Sequence, residues 1–393
     1  MIKSNDKKLI LLISIITMLC LGTIYSWSIF RKPLEDLLGI SPLQSGLPYM
    51  FFLLFYSLFM PITGNIISYK NYHKIFFIGL HFLFLGWFLA GFSKNIYLIT
   101  IFYGFLGGIG VGIIYGIPLF WINTLFNKNK GRYIGIVLAG FGLSPFTTAP
   151  IANILISKYG VLNAFKIFGL AFYIILFSIY ICINSNCIKR YFIQIKEEDK
   201  KHDISIKLSK QFIFIWLFFF LGTFIGLTSI SIAAPVGNEI HKIPLNILSL
   251  YLSIFALFNA FGRILYGFLL DKLYYKKVML ISLISITFAA LFEFFNVESK
   301  LVYILTFSIL WLNLGGWLSI APTLTEKILG NKNFSKNYGY IFTAYGTSAI
   351  TGTLLSGYLR TVFNSYKYFF IIILIIILVG IVGLILYKDN GYK

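Results

Sequence analysis

Negative charge is scarce in this sequence: 13 aspartates and glutamates stand against 33 lysines and arginines in 393 residues, a formal net charge of +20. No group of acids, cysteines and histidines has the spacing of a metal site, so no metal or cofactor is expected. The three cysteines, Cys20, Cys182 and Cys187, show no redox spacing, and the first two fall inside apolar runs as small hydrophobes. No nucleophile has a histidine partner and no phosphate-cradling loop follows a strand, so the chain is not expected to be an enzyme. Polar stretches are missing too. The one long example is Ile188 to Lys210, which leaves no added soluble domain or tail for a sensor or scaffold.

What is present is apolar. Hydrophobic residues make up 58% and the mean hydropathy is +0.85, outside the range of soluble globular domains. In a soluble chain the positive charge would suggest nucleic acid. Here the lysines sit between apolar runs, so the expected partner is the lipid bilayer and its anionic leaflet, with no nucleic acid. The first run, Leu9–Phe30, is too long for a signal peptide and lacks a small-residue cleavage site. Further runs follow at Ser45–Tyr69, Ile75–Phe92, Tyr97–Phe126, Tyr133–Ser157, Asn163–Cys187, Gln211–Ala234, Leu245–Leu270, Lys277–Phe295, Leu301–Leu329, Tyr338–Leu359 and Tyr366–Tyr387. Each can cross roughly 30 Å of hydrocarbon as a helix. The expected fold is an all-α membrane protein of twelve transmembrane helices.

Loops on the side of the two termini carry 23 lysines and arginines and the opposite loops 9, which places both termini and the central linker in the cytosol. Which membrane holds the chain is open; a cell or inner membrane is the first expectation. The halves resemble each other. Asn127-Lys128-Asn129 recurs as Asn331-Lys332-Asn333, and the same shift of 204 pairs Pro118 with Pro322, Gly112 with Gly316, Gly135 with Gly339, Phe141 with Tyr345, Gly142 with Gly346 and Phe165 with Phe369. The division is then an N-terminal half 1–187, a linker 188–210 and a C-terminal half 211–393, two six-helix pseudo-repeats acting as a monomer. Transporters of this build hold substrate near the midplane between repeats.

Arg263 is the only arginine or lysine expected well inside an apolar run, and no acid lies within one turn of it. An arginine there costs at least ~2.5–3.5 kcal/mol, faces the bundle interior, and needs a negative partner. A ligand can be that partner; the alternative is snorkelling to headgroups about seven residues away. Gly104, Gly107, Gly108, Gly110, Gly112 and Gly116 put small residues along the fourth helix, ending at Pro118, which predicts close approach to a neighbour.

Two six-helix halves with a cytosolic linker resemble the major facilitator superfamily. Gly267 to Lys272 looks like its loop motif; the first-half copy, Gly64 to Lys70, keeps the glycine and loses the aspartate. Gly22 to Ser28 with Pro33 to Gly39, Gly108 to Ile117, Ala139 to Leu143, Asn259 to Asp271 and Asn337 to Ser348 resemble, respectively, the first-, fourth-, fifth-, eighth- and eleventh-helix signatures of the oxalate/formate antiporter branch, related to monocarboxylate carriers. The resemblance implies an arginine on helix eight and a lysine on helix eleven for two carboxylates. Arg263 matches the first and Tyr345 stands in place of the second. It also implies an aromatic enclosure at Tyr25, Tyr115, Phe141 and Phe342, with leucines at two helix-ten positions, Leu314 and Leu318.

One cation kept and one lost shifts the expected ligand from a dianion to a monocarboxylate, moved by a secondary transporter through exchange or uniport. The residues agree: Arg263 and Tyr345 lie at similar depth, a guanidinium grips one carboxylate by two bonds, and a tyrosine adds a bond without charge. For Tyr25, Tyr115 and Tyr345 plain packing or an interhelical hydrogen bond is the alternative, and Trp27 and Trp121 read as packing or interfacial anchors. Proton symport would need an ionisable group near the substrate. Glu293 and Glu326 fall near helix ends and His81 on a peripheral helix, so symport is the lesser alternative, beside a carrier of a neutral or zwitterionic metabolite.

Overall fold

The computed structural model describes residues 4–68, 70–125, 130–184, 209–295, 299–329 and 334–387. Twelve long helices appear among them: α1 Lys7–Leu38, α2 Pro42–Ile66, α3 Tyr72–Ala90, α4 Ile96–Ile122, α5 Tyr133–Tyr159, α6 Val161–Asn184, α7 Lys210–Glu239, α8 Leu245–Lys272, α9 Tyr275–Phe295, α10 Lys300–Leu329, α11 Phe334–Phe363 and α12 Lys367–Leu386. Eleven are apolar enough over 18 residues to be read as spans by composition. The other, α11, carries so many serines, threonines, tyrosines and glycines that its hydropathy is diluted. The chain is a multi-pass integral membrane protein. The expected linker 188–210 lies outside the described residues except for its last two, where Ser209 caps α7 by accepting from the Phe212 amide at 3.2 Å. The repeated Asn-Lys-Asn segments are likewise outside them.

Burial explains why these runs are helices that span rather than helices of a soluble core. Along α8, Ala256, Asn259, Ala260, Arg263, Tyr266 and Leu270 are buried, whereas Leu257, Phe261, Ile264 and Phe268 are exposed. The polar stripe turns inward and the apolar stripe outward, the arrangement that lipid selects.

Two extensive pairings join the first six helices to the last six, α5 on α8 and α2 on α11, with α1 on α7 as a lighter third. The repeat of 204 residues is visible in them. A Cβ on Gly142 of α5 would lie 2.3 Å from Asn259 Oδ1 of α8, and one on Gly346 of α11 would lie 1.9 Å from Ser57 Oγ of α2. The stripe on α4 also packs as expected, with Gly104, Gly107, Gly108 and Gly112 against α2. Gly116 departs from it, since a Cβ there would meet nothing within 4 Å.

Arg263 is not the only buried arginine. The first helix was expected to end at Phe30, but α1 runs on through Pro33 to Leu38, and Arg31 is 1% exposed. Its Nε donates to Ser45 Oγ at 3.0 Å, Nη1 to the carbonyl and hydroxyl of Ser231 on α7 at 3.2 and 3.4 Å, and Nη2 to the Pro42 carbonyl. Glu35 lies one turn on, 4.0 Å from Nε. Arg31 therefore ties α1 to α7 on the face opposite the chain's ends, here called the far face. There Tyr49 of α2 also donates to the Leu227 carbonyl of α7 at 3.0 Å. We expect Arg31→Gln to lose about 1.5–3 kcal/mol per charge-assisted bond broken. The readout is the melting temperature of the purified protein. Arg31→Lys should restore only part, because an ammonium cannot reproduce the guanidinium fork. An unchanged melting temperature in Arg31→Gln would contradict the assignment.

Candidate functional site

The site lies where α1, α2, α4, α5, α7, α8, α10 and α11 converge. Two of its tyrosines sit where helices lose regularity. Tyr25 occupies a tight 3₁₀ turn, Gly22–Ser26, inside α1, and Tyr115 occupies the junction between the α-helical stretches Gly108–Ile114 and Gly116–Leu125 of α4. Such interruptions in spanning helices are tolerated where the backbone is buried in protein or lines a cavity.

All six residues expected from the sequence come together. The hydroxyls of Tyr25 and Tyr345 are 2.6 Å apart. Phe141 meets Tyr25 edge-on at 5.1 Å and Tyr115 edge-on at 5.6 Å, and Phe342 stacks on Tyr345 at 4.9 Å. Arg263 is 4% exposed, within electrostatic reach of the Tyr25 and Tyr115 hydroxyls. Its Nε and Nη1 are buried without a hydrogen-bond partner. The snorkelling alternative is thereby excluded, because the side chain is held inside the bundle.

The aromatic wall is larger than the resemblance implied. Tyr56 of α2 lies 5.2 Å from Tyr115, 5.4 Å from Phe342 and 5.8 Å from Tyr345. Phe219 of α7 lies 6.0 Å from Phe342, and Trp311 of α10 lies 6.5 Å from Tyr25. Leu314 and Leu318 are buried on α10, but the indole that closes that side is Trp311, one turn before Leu314. Asn259, one turn before Arg263, donates from Nδ2 to the Trp311 carbonyl at 3.0 Å. The signal that could have found it is the four-residue spacing to Arg263, which puts both on one helix face.

The arrangement is buried, cationic and lined by hydroxyls and ring faces. It can bind an anion in a low-dielectric box, where each interaction is strengthened. Among the described residues no group of three or more histidine, cysteine, aspartate or glutamate side chains could hold a metal.

The other ionisable candidates lie elsewhere. His81 donates from Nδ1 to the Phe77 carbonyl at 2.8 Å and meets the Tyr173 hydroxyl through Nε2 at 3.4 Å, between α3 and α6. Glu293 is near the end of α9 as expected, but it is buried rather than peripheral to the packing: it meets His241 Nε2 at 2.6 Å. His241 was not singled out from the sequence because its partner is 52 residues away. Trp27 is packing, stacked on Tyr103 at 4.8 Å and donating to the Ser45 carbonyl at 3.1 Å. Trp121 is buried against Phe76.

Comparison with known proteins supplies the frame. A family model described as Major Facilitator Superfamily matches residues 9–239 and again 214–392. Over 357 residues the chain is 26% identical to the oxalate:formate antiporter of Oxalobacter formigenes, covering 90% of this chain and 85% of that one. It is 29% identical over 84 residues to monocarboxylate transporter 9 of Gallus gallus, 21% of this chain and 17% of the other. Among solved structures, a bacterial homologue of the human lysosomal transporter Spinster, inward-facing and occupied, superposes with a TM-score of 0.72 at 14% identity, covering 98% of this chain and 97% of that one.

One contact tests how tightly the site depends on close helix approach. Gly142→Ala would put a methyl 2.3 Å from Asn259 Oδ1 and 3.2 Å from Arg263 Nε, so the Asn259 side chain or the helix carrying it must shift. Overpacking of this kind costs about 1–3 kcal/mol. We expect normal membrane insertion with transport reduced at least about tenfold, and Gly135→Ala, which meets nothing within 4 Å, to leave transport unchanged.

Proposed function

This chain belongs to the Major Facilitator Superfamily, and from that premise we propose that it carries a small monocarboxylate across its membrane by alternating access, as an exchanger or uniporter. The observation that carries the reading is Arg263: a buried guanidinium with two nitrogens unpartnered, walled by tyrosines and phenylalanines. A carboxylate supplies the charge and the acceptors it lacks, through two parallel hydrogen bonds. Tyr25 and Tyr345 add hydroxyls to the same box. Resemblance to the oxalate:formate antiporter and to monocarboxylate transporters supports the substrate class. The two halves, 1–187 and 211–393, are the bodies that rock around the site. Their termini lie in the cytosol by the lysine and arginine bias of the loops.

Charge counting narrows the class. One fixed cation balances one carboxylate. A second carboxylate in the same dry cavity stays uncompensated at a cost of several kcal/mol, enough for about a hundredfold discrimination or more. A second reading, proton-coupled symport, is favoured by one observation: the buried His241–Glu293 pair, in which His241 Nδ1 and Glu293 Oε2 have no partner.

Counterflow in proteoliposomes tests these readings. Formate, acetate, lactate or pyruvate should compete better than oxalate or malonate. Arg263→Gln should abolish uptake, a loss of about 2–5 kcal/mol of binding, while Arg263→Lys should weaken it. Preloaded substrate should accelerate entry of label. Near wild-type transport by Arg263→Gln would remove the anchor and favour a neutral or zwitterionic substrate. Uphill uptake driven by a pH gradient, insensitive to preloading and lost in Glu293→Gln, would establish the symport reading instead. Tyr345→Lys, assayed at mildly acidic pH to keep the new amine charged beside Arg263, should shift preference toward oxalate.

A further inference from the structure

Two nitrogens of the Arg263 head have no partner, so much of its aim is set by where α8 carries it. The turn of α8 around it is bonded to α10 at three points. Asn259, four residues before, donates to the Trp311 carbonyl at 3.0 Å. Ser319 donates from Oγ to the carbonyl of Arg263 itself at 2.8 Å. Tyr266, three residues after, donates to Asn313 Oδ1 at 2.5 Å. Spacings of four and three keep Asn259, Arg263 and Tyr266 on one face of the helix.

Of these three bonds the one from Tyr266 reaches furthest. Asn313 is 1% exposed, and its Oδ1 also accepts from Ser282 of α9 at 2.7 Å. Its Nδ2 donates to the Ile309 carbonyl at 2.8 Å and to Ser285 Oγ of α9 at 2.9 Å. Ser285 passes its own proton to the Ser282 carbonyl at 2.8 Å. The amide cannot be turned over, because the Ile309 carbonyl only accepts. One side chain thus ties α8, α9 and α10 together with both ends of its amide in use. The Tyr266 ring lies directly on α10: a Cβ on Gly316 would be 2.4 Å from Tyr266 Cδ2.

Buried polar clusters between spanning helices commonly serve as glue. This cluster differs in its place. It stands one turn from the buried arginine, on the same face of the same helix. By the shift of 204 the first-half counterpart of Asn313 is Ile109, an aliphatic residue. The knot therefore belongs to the half that carries Arg263. Resting on the reading of Arg263 as the carboxylate anchor, we infer that Tyr266 and Asn313 are positioning residues. They hold the α8 turn that aims Arg263, and through Ser282 and Ser285 they make α9, outside the site, part of its frame. A bidentate grip on a carboxylate needs its donors placed to within about 0.5 Å, which a loosened turn does not provide.

Tyr266→Phe is the gentlest test, since it removes one oxygen, keeps the ring on Gly316 and leaves Asn313 Oδ1 with Ser282 as a donor. The probe is whichever of labelled formate, acetate and lactate the wild type takes up fastest. In Tyr266→Phe its KM should rise about fivefold, the equivalent of one hydrogen bond, with Vmax within about twofold of wild type. A bond that served stability alone would lower Vmax with the amount of folded carrier and leave KM unchanged. In an Arg263→Lys background Tyr266→Phe should raise KM no further, because the residue it positions is gone. Hydrogen exchange of the α8 amides at residues 260–267 should quicken in Tyr266→Phe. Asn313→Leu should raise KM at least as much; if it fails to insert, Tyr266→Phe decides alone. An unchanged KM in well-inserted Tyr266→Phe, or a rise that persists beside Arg263→Lys, overturns the inference and leaves Arg263 as an anchor. If the wild type takes up none of the three probes, the carboxylate reading falls and hydrogen exchange decides the positioning role. Faster exchange then keeps that role for another ligand, and unchanged exchange ends it.

Discussion

The structure turns on a guanidinium that the protein does not satisfy. Among the described residues two arginines are buried, and their environments are opposite. Arg31 has an acceptor for each of its three nitrogens, drawn from the start of α2 and from α7, and a carboxylate one turn away. Arg263 has two nitrogens without a partner, surrounded by ring faces and hydroxyls. Burying a charge costs several kcal/mol even after relaxation, and hydrogen bonds are what offset that cost. At Arg31 the offset is built into the protein, so the residue holds α1 against α7. At Arg263 two nitrogens go without it.

The helices around Arg263 show what that requires of the rest of the chain. The α8–α10 crossing is tight enough that backbone meets backbone at Gly262 and Gly315. This rigid pair carries Arg263, Asn259 and Trp311. Across from it, Tyr25 and Tyr115 are held at irregular turns of α1 and α4, where a local change in winding can move a hydroxyl without moving a whole helix. One wall is therefore fixed and the other adjustable. The repeat explains part of this division: Phe141 and Tyr345, equivalent by the shift of 204, lie on α5 and α11 and face the same box from opposite halves.

How much could be read from the chain depended on how local each cause was. The helices were legible because lipid demands long apolar runs, and Arg263 because a charge inside such a run is conspicuous. Arg31 was not. The sequence Phe-Arg-Lys-Pro looks like the end of a span, and the helix continues only because Ser45, Pro42 and Ser231 supply acceptors from elsewhere. Tyr56 and Phe219 were hidden by abundance: 26 tyrosines and 42 phenylalanines make any one of them uninformative. His241 and Glu293 pair across 52 residues, a relation no periodicity encodes.

Among the described residues, the contacts between the two sets of six helices are unequal at the two ends of the bundle. On the far face Arg31 holds Ser231, Tyr49 holds Leu227, and Gly46 and Gly357 are close enough to Thr353 and Leu43 that added methyls would collide. These contacts share α1, α2, α7 and α11, so separating them breaks several buried hydrogen bonds together. Toward the end that carries the termini, Gly339 on α11 still touches Pro61 of α2, but Cβ atoms on Gly116, Gly135 and Gly267 of α4, α5 and α8 would meet nothing within 4 Å. Packing that interlocks resists gradual deformation and changes in discrete steps. Among the described residues the far face is the more interlocked of the two. Arg263 lies between them, buried under both.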